Sequence, residues 1–550
     1  MKSLLEKYPR SSKDLKYGTA GFRDRADLPL HSTFVRMGMF ACLRSRSRDG
    51  LAVGVMITAS HNPEHDNGIK LVDPDGGMLS QSWEAIAEEL ANAISSDAAI
   101  SQLNKIEKDE IKDPFAGAIV LLGRDTRSHS AELAACVEMG VRAMGGTPLN
   151  LGEVTTPQLH WAVAACNEKG LPDVDTFNAK AVLSAYYSTL SRSFSELFTS
   201  GLPTPSEPVS MVLDCSYGVG SYAAERLAHE VEASCPGALS FDLRNCARAG
   251  PVNEGCGAEH VQKGQVPPIG MSATDGIGRM LASLDGDADR LVFHTFTTPG
   301  AGLKGGDWLL LDGDKIACLL AVTLLRELQA AELDKEFSFG VVQTAYANGA
   351  AGDYLRAQGV PVVLAKTGVK FVHHAALAFD VGVYFEANGH GTALFSSALL
   401  VRLAEDDERL HPRAELARRR LRAFAQCINQ AVGDALSDLL AAIACLRIQG
   451  LSLQDWLLLY TDYPSRQLKV KVQGKEHIIC SADETRALAP PVLVRRLDEA
   501  CVRAGVCARA FVRPSGTEDV VRVYAEAVTQ EQADVLANAC MAAVKEALDE

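Results

Sequence analysis

The sequence has no apolar run of the ~20 residues that a helix needs to cross a bilayer. Its fourteen cysteines form no Cys-x-x-Cys pair, which fits reduced thiols better than a disulfide framework or a zinc ribbon. Basic charge is also short. With 54 Lys and Arg against 69 Asp and Glu, the formal net charge of −15 argues against nucleic acid or an anionic membrane as the main partner. An anionic small substrate stays compatible, because a cleft can be locally positive. Several motifs are missing too. There is no Walker loop, and "YGVG" at Tyr217 lacks the third glycine of a dinucleotide fingerprint. Ser60 is not in a Gly-x-Ser-x-Gly elbow, so a hydrolase triad has little support. The opening "MKSLLEKYPRSSKDLKYG" carries charge beside its only apolar pair and reads as a poor signal peptide, and "KEALDE" carries no address signal. The expectation is a soluble, cytoplasmic protein.

What is present is an alternation of short apolar runs with longer amphipathic segments, the pattern of α/β architecture. At roughly 100–200 residues per domain the length implies several domains. "LAVGVMI" precedes a helical pattern over 80–94, where Trp83, Ile86, Leu90 and Ile94 recur at helical spacing. "AIVLL" leads through "GRDTRSHS" into another helix, with Ser128 or Ser130 as its N-cap. After the proline-bearing stretch 199–208, "VSMVLDCSYGVGSYAAERL" repeats strand, glycine turn and helix, as does "FSFGVVQTAYANGAAGDYLRAQGVPVVLAK". The last hundred residues read as three strands and two helices. The expectation is an α/β fold with three similar α/β domains with mixed sheets (1–180, 181–300 and 301–450) and a smaller C-terminal α+β domain (455–550).

Four segments can carry chemistry. In "SLDGDADRLVF", Asp285, Asp287 and Asp289 alternate with small residues and can curl round a hard cation. An EF-hand is excluded, because Arg290 and Phe296 stand where it needs Gly and Glu. A solvated acidic turn is the alternative, and with a phosphoryl group as a further ligand the ion suits magnesium better than calcium. In "FVRPSGTEDVVRVYAEA", Ser515, Gly516 and Thr517 offer amides and hydroxyls between Arg513 and Arg522, a set suited to a phosphate dianion or to a hairpin turn with exposed arginines. In "YFEANGHGT", Glu386, Asn388 and His390 alternate and suit sugar hydroxyls, although Asn-Gly is first a turn signal. The fourth is "TASHNP" (58–63), where a strand-like run ends in Ser60 beside His61. Combined with a cation loop and a phosphate cradle, Ser60 reads as the carrier of a phosphoryl group.

"TASHNP" with "NGIK", then "LDGDADR", "EANGHG" and "RPSGTED", in that order, resemble the four active-site loops of the α-D-phosphohexomutases. The resemblance runs from "YGTAGFR" (17–23) to Arg522. "NEGCGAEHVQK" (253–263), "KTGVK" (366–370) and "EANGHG" are similar to the branch acting on N-acetylglucosamine phosphates. The resemblance implies a heart-shaped, four-domain fold around a central cleft, each domain lending one loop. Ser60 would be the phosphoserine and, with Asp285, Asp287 and Asp289, a Mg²⁺ ligand. Glu386, Ala387, Asn388, His390 and Lys366 would contact the sugar substrate. Arg513, Pro514, Ser515, Gly516, Thr517 and Arg522 would hold the non-reacting phosphate. His61, Lys70 or a residue of "GRDTR" would serve as general base, with bracing of the serine loop an equal reading for His61. The implied reaction is the reversible conversion of N-acetylglucosamine 6-phosphate to the 1-phosphate through a sugar 1,6-bisphosphate, which also serves as activator, supplying nucleotide-sugar (UDP-N-acetylglucosamine) synthesis. The alternatives are a phosphoglucomutase or phosphomannomutase, a non-catalytic sugar-phosphate-binding paralogue, and a metal-dependent phosphatase. Oligomeric state is not legible.

Overall fold

The short apolar runs become strands buried on both faces, as "VGVMI" does over Val53–Ile57. The computed structural model describes the chain except residues 11–12, 19–20, 27–29, 114–115, 170–175, 204–207, 299–306, 406–409, 516–518 and 550. It folds as two compact units. One comprises Met1–Asp312, Asn388–Thr392 and Arg422–Ile448; the other comprises Gly313–Ala387, Ala393–Leu421 and Gln449–Glu550. Among the described residues no helix is long and apolar enough to cross a membrane.

The first unit holds two mixed five-stranded sheets. The spatial order of the first is Phe22–Arg25, Asp66–Val72, Val53–Ile57, Ile119–Arg124, Thr147–Glu153. That of the second is Trp308–Leu311, Leu291–Phe296, Met280–Leu284, Val209–Asp214, Leu239–Arg244. In each, the first two pairings are antiparallel and the last two parallel. The turn carrying Ser60 and the turn carrying the three aspartates therefore occupy the same place, the hairpin leaving the central strand of its sheet. The second unit contains the parallel strands Val362–Ala365, Phe339–Thr344 and Val381–Phe385, adjacent in that order, and the turn after Val381–Phe385 carries Glu386. Three similar sheets thus present three candidate loops from one topological position.

The C-terminal part of the second unit is an antiparallel sheet of Ser465–Lys471, Val520–Glu526 and Arg509–Pro514. Helices Pro491–Ala504 and Gln530–Asp549 cover one face, burying Val470, Val512, Val521 and Val523 with Leu493 and Leu536. Two local expectations change. The pattern over 80–94 is a helix only over Gln81–Ala91. A second helix, Ser96–Glu110, starts at once with Ser95 accepting from the Ala98 N–H, so Ile94 falls in the turn and is 80 % exposed. Helix Ser130–Ala143 has His129 at its N-cap position, because the Ser130 hydroxyl donates to Asp125 at 2.7 Å instead. The strand Trp308–Leu311 completes the second sheet beyond residue 300.

Candidate active site

The chain leaves strand Val53–Ile57 and turns at Ser60, whose φ of 51° is left-handed and needs support in a residue with a Cβ. Thr58 Oγ1 accepts from the Ser60 N–H at 2.9 Å. The Ser60 carbonyl accepts from Arg127 at 3.1 Å and from Asn253 Nδ2 at 2.7 Å, and the same two side chains donate to the Asn62 carbonyl at 2.6 and 2.8 Å. So fixed, the buried Ser60 hydroxyl points at the acidic loop, 3.0 Å from Asp285 Oδ2 and 3.4 Å from Asp289 Oδ1. Gly286 permits this approach, since a Cβ there would lie 2.9 Å from the Ser60 carbonyl oxygen.

Asp285, Asp287 and Asp289 are all buried, and each offers an oxygen within 4.8 Å of the others. Asp285 Oδ1 closes the loop by accepting from the N–H groups of Asp289 and Arg290 at 3.1 and 3.2 Å. Lys70 is the counter-charge, its ammonium 2.9 Å from Asp287 Oδ2 and 3.1 Å from Asp289 Oδ2. Asp287 Oδ2 also accepts from Thr156 Oγ1 at 2.5 Å, while Asp287 Oδ1 is buried without a hydrogen-bond partner. Burial pushes the Asp285 carboxyl well above its usual range, and the charges of Asp289 and Asp287 add to the effect. Burial acts the same way on Asp289, but Lys70 and His390 outweigh it and hold that group well below the usual range. Burial opposes the Lys70 charge, and Asp287 and Asp289 more than reverse this. A cluster of three hard oxygen donors with an orphaned lone-pair site fits Mg²⁺ by ligand type.

His61 follows Ser60 with its Nε2 3.8 Å from Glu259 and its Nδ1 buried without a partner. Burial, reinforced by Arg290, pushes the imidazole well below its ordinary value, with Glu259 pulling the other way. In "GRDTR", Asp125 accepts from the Arg127 N–H and guanidinium and from Ser130, so its lone pairs are engaged. Within the "EANGHG" turn, His390 packs against Asp289, with Nδ1 3.6 Å from Oδ1. Gly389 makes that turn possible, because at φ 85° a Cβ would meet the Leu291 carbonyl oxygen at 1.9 Å. The Asn388 side chain accepts from the His390 N–H at 3.0 Å. In the second unit, Glu386 is half-buried and the Ala387 carbonyl accepts from the Gly313 N–H at 3.2 Å.

Strand register in the C-terminal sheet places Lys469 opposite Arg522, and Arg522 opposite Arg513. Alternation along the strands turns all three to the face away from helices Pro491–Ala504 and Gln530–Asp549. Like charges directly opposite each other destabilise a sheet, so this row suits an anion. Glu484 pairs with Arg513 at 2.9 Å and accepts from the Thr367 N–H at 3.1 Å, which ties the "KTGVK" turn beside Arg513. Lys366, in that turn, sits 5.0 Å from the centre of the Phe371 ring. Ser515 is buried, with its N–H donating to the Val520 carbonyl at 2.9 Å. Gly516 and Thr517 lie outside the described residues.

Asn253, Arg127, Thr156 and Glu484 were not assigned these positions from sequence. Asn253 opens the "NEGCG" segment and Arg127 closes "GRDTR", so both lay in stretches already singled out. Nothing in the sequence marks Thr156 or Glu484.

Three family models match the chain: phosphoglucomutase/phosphomannomutase alpha/beta/alpha domain I over 38–98 and 109–175, phosphoacetylglucosamine mutase AMG1 domain III over 312–451, and the phosphoglucomutase/phosphomannomutase C-terminal domain over 468–543. The phosphoacetylglucosamine mutase of Arabidopsis thaliana is 45% identical over 548 residues, covering 96% of this chain and 95% of that protein. The crystal structure of Aspergillus fumigatus N-acetylphosphoglucosamine mutase with GlcNAc-6P and magnesium superposes with TM-score 0.90 at 37% identity, covering 100% of this chain and 98% of that one. A complex of the A. fumigatus protein with glucose 1,6-bisphosphate gives TM-score 0.88 at 36% identity, with the same coverage.

Proposed function

The chain belongs to the phosphoacetylglucosamine mutase family of α-D-phosphohexomutases, and on that premise we propose that Ser60 is the phosphoryl carrier in the reversible conversion of N-acetylglucosamine 6-phosphate to N-acetylglucosamine 1-phosphate. The observation that carries the assignment is the placement of Ser60 Oγ, 3.0 Å from Asp285 at the edge of a three-carboxylate cluster.

Phosphorylated Ser60 gives its phosphoryl group to the sugar's C1 hydroxyl. The P–O bond to serine breaks, the P–O bond to C1 forms, and the product is the 1,6-bisphosphate. After the bisphosphate turns over, its 6-phosphoryl group passes to Ser60 and the 1-phosphate leaves, ready for nucleotide activation. Asp285, Asp287 and Asp289 with the phosphoserine would hold Mg²⁺, which neutralises charge on the transferring group. Lys70, already paired with two carboxylates, serves as their charge partner. His61, with an unengaged ring nitrogen, takes the proton of the attacking hydroxyl. Glu386 and Asn388 contact sugar hydroxyls, and His390 steadies Asp289. Arg513, Pro514, Ser515, Gly516, Thr517 and Arg522 bind the phosphate that is not reacting, with Lys366 beside them. Because the sugar must bind in two orientations, forked guanidinium donors and amides suit this site better than a single point charge.

We assign one domain to each main sheet, along the boundaries expected from sequence but with the second domain running to Asp312, and we place the enzyme in the cytoplasm. The test is a proton and phosphorus NMR time course with Mg²⁺ and a trace of sugar bisphosphate. It compares N-acetylglucosamine 6-phosphate with glucose 6-phosphate and includes Ser60→Ala. Faster interconversion of the acetylated sugar, lost in the folded variant, is expected. Full activity in Ser60→Ala would overturn the phosphoserine. A preference for glucose phosphate would overturn the substrate, and release of inorganic phosphate would indicate a phosphatase.

A further inference from the structure

Ala288 separates two of the three clustered aspartates and has a φ of 56°, a backbone state that a residue with a Cβ holds only when its surroundings impose it. Two hydrogen bonds do so. Its N–H donates to the Asp285 carbonyl at 3.1 Å, and its carbonyl accepts from the Ala435 N–H at 3.2 Å. Ala435 is the first residue of helix Ala435–Gln449. The preceding Asp434 is buried and anchors that helix start, its Oδ1 accepting from the N–H groups of Leu436 and Ser437 at 3.2 and 3.3 Å.

Asp434 is itself held. Its Oδ2 accepts from Tyr186 Oη at 2.8 Å and from Asn429 Nδ2 at 3.2 Å. Asn429 Nδ2 also donates to the Pro157 carbonyl at 3.4 Å, and its own carbonyl accepts from Thr392 Oγ1 at 2.6 Å. Pro157 follows Thr156, whose N–H donates to the Asp287 carbonyl at 3.1 Å and whose hydroxyl donates to the Asp287 carboxylate. The network therefore grips the acidic loop at two successive residues. Tyr186, Asn429 and Asp434 are all buried, so their hydrogen bonds are made away from competing water.

We propose that Asp434 is a positioning residue for the divalent cation: by anchoring the helix start it aims the Ala435 N–H at the Ala288 carbonyl and so sets the spacing of the Asp287 and Asp289 carboxylates. This rests on the metal role proposed above for those aspartates. Outer partners of metal ligands commonly govern affinity by 10–100-fold.

Two substitutions isolate the effect. Asp434→Asn replaces an acceptor of four donors with a side chain that cannot satisfy all four bonds. Ala435→Pro removes the N–H and sets its ring against the Ala288 carbonyl, at a helix position where the proline backbone is tolerated. Manganese titration followed by electron paramagnetic resonance, on the full-length protein, should show affinity weakened roughly tenfold or more in both. KM for the sugar phosphate should be unchanged, and kcat should be regained at high Mg²⁺, a rescue that a merely structural defect would not give. Tyr186→Phe, which removes one hydroxyl, should shift affinity in the same direction by less and keeps the test decisive if the proline variant does not fold. Unaltered manganese affinity in these variants, with weakened binding in Asp287→Asn, overturns the role of Asp434 alone. Equal binding by the unaltered protein and Asp287→Asn overturns the metal assignment and this inference with it.

Discussion

Replacing Lys70 with methionine should lower stability without Mg²⁺ and increase what Mg²⁺ restores. The three carboxylates offer oxygens within 4.8 Å of one another, which at an effective dielectric of about 20 corresponds to a repulsion of at least about 3.5 kcal/mol per ionised pair, or about 10 kcal/mol for three. Lys70, at 2.9 and 3.1 Å from two of them, contributes an attraction of about 11 kcal/mol on the same scale. Desolvation cancels much of both sums, and removing one partner of a buried ion pair typically costs about 3–5 kcal/mol. For a chain of 550 residues that corresponds to roughly 3–4 °C in Tm. Scanning calorimetry in EDTA should therefore show Lys70→Met unfolding about that much earlier. Added Mg²⁺ should raise the Tm of the variant by more than that of the unaltered protein, because the cation no longer competes with an ammonium for Asp287 Oδ2 and Asp289 Oδ2. Measurement at matched ionic strength removes general screening. A Mg²⁺-induced shift equal to or smaller than that of the unaltered protein would refute the reasoning.

Arg522→Ala should raise KM for phosphorylated sugars by roughly 10–100-fold, the loss of one charge-assisted hydrogen bond, and an unchanged KM would move the phosphate site elsewhere. Glu484→Gln, which frees Arg513 and the Thr367 turn, should raise KM severalfold with little change in kcat; a fall in kcat alone would assign Glu484 another role. Burial pushes His294 down to about 3 from its ordinary 6.5, and its ring is held by Trp308 and Ser283 at 3.2 Å each. The unfolded chain takes up that proton below 6.5 while the fold does not, so stability falls as pH drops from 6.5 toward 3, by up to about 1.4 kcal/mol per pH unit. His294→Gln should flatten this slope in urea titrations between pH 4.5 and 6.5, and parallel slopes would count against the buried neutral imidazole.

Ser60 and the three aspartates were legible because their chemistry sits in contiguous residues whose small neighbours announce a turn. The C-terminal hairpin was legible because alternation along "FVRPSGTEDVVRVYAEA" gives strand pairing directly. What escaped was of two kinds. Asn253 reaches the Ser60 carbonyl across 193 residues, and Glu484 binds the Thr367 N–H across 117; neither partner is marked by residue type, because every residue offers a carbonyl and nearly all an amide. The equivalence of the Ser60 and Asp285 turns is the second kind. It lives in strand direction and order, which different letters encode equally well, so no repeat appears in the sequence.

The row formed by Lys469, Arg522 and Arg513 has a consequence for how such a protein can change over time. The three cations come from separate strands and share a face only through pairing register. Side chains alternate with a period of two, so a single residue gained or lost within one of these strands would send a cation to the face covered by Val470 and Val521. The turn between Arg509–Pro514 and Val520–Glu526 is constrained as well, because its length sets their register and it carries residues of the proposed phosphate site. Within the strands only even changes keep the charges on one face. Insertion parity, more than residue identity, is what this surface asks inheritance to preserve.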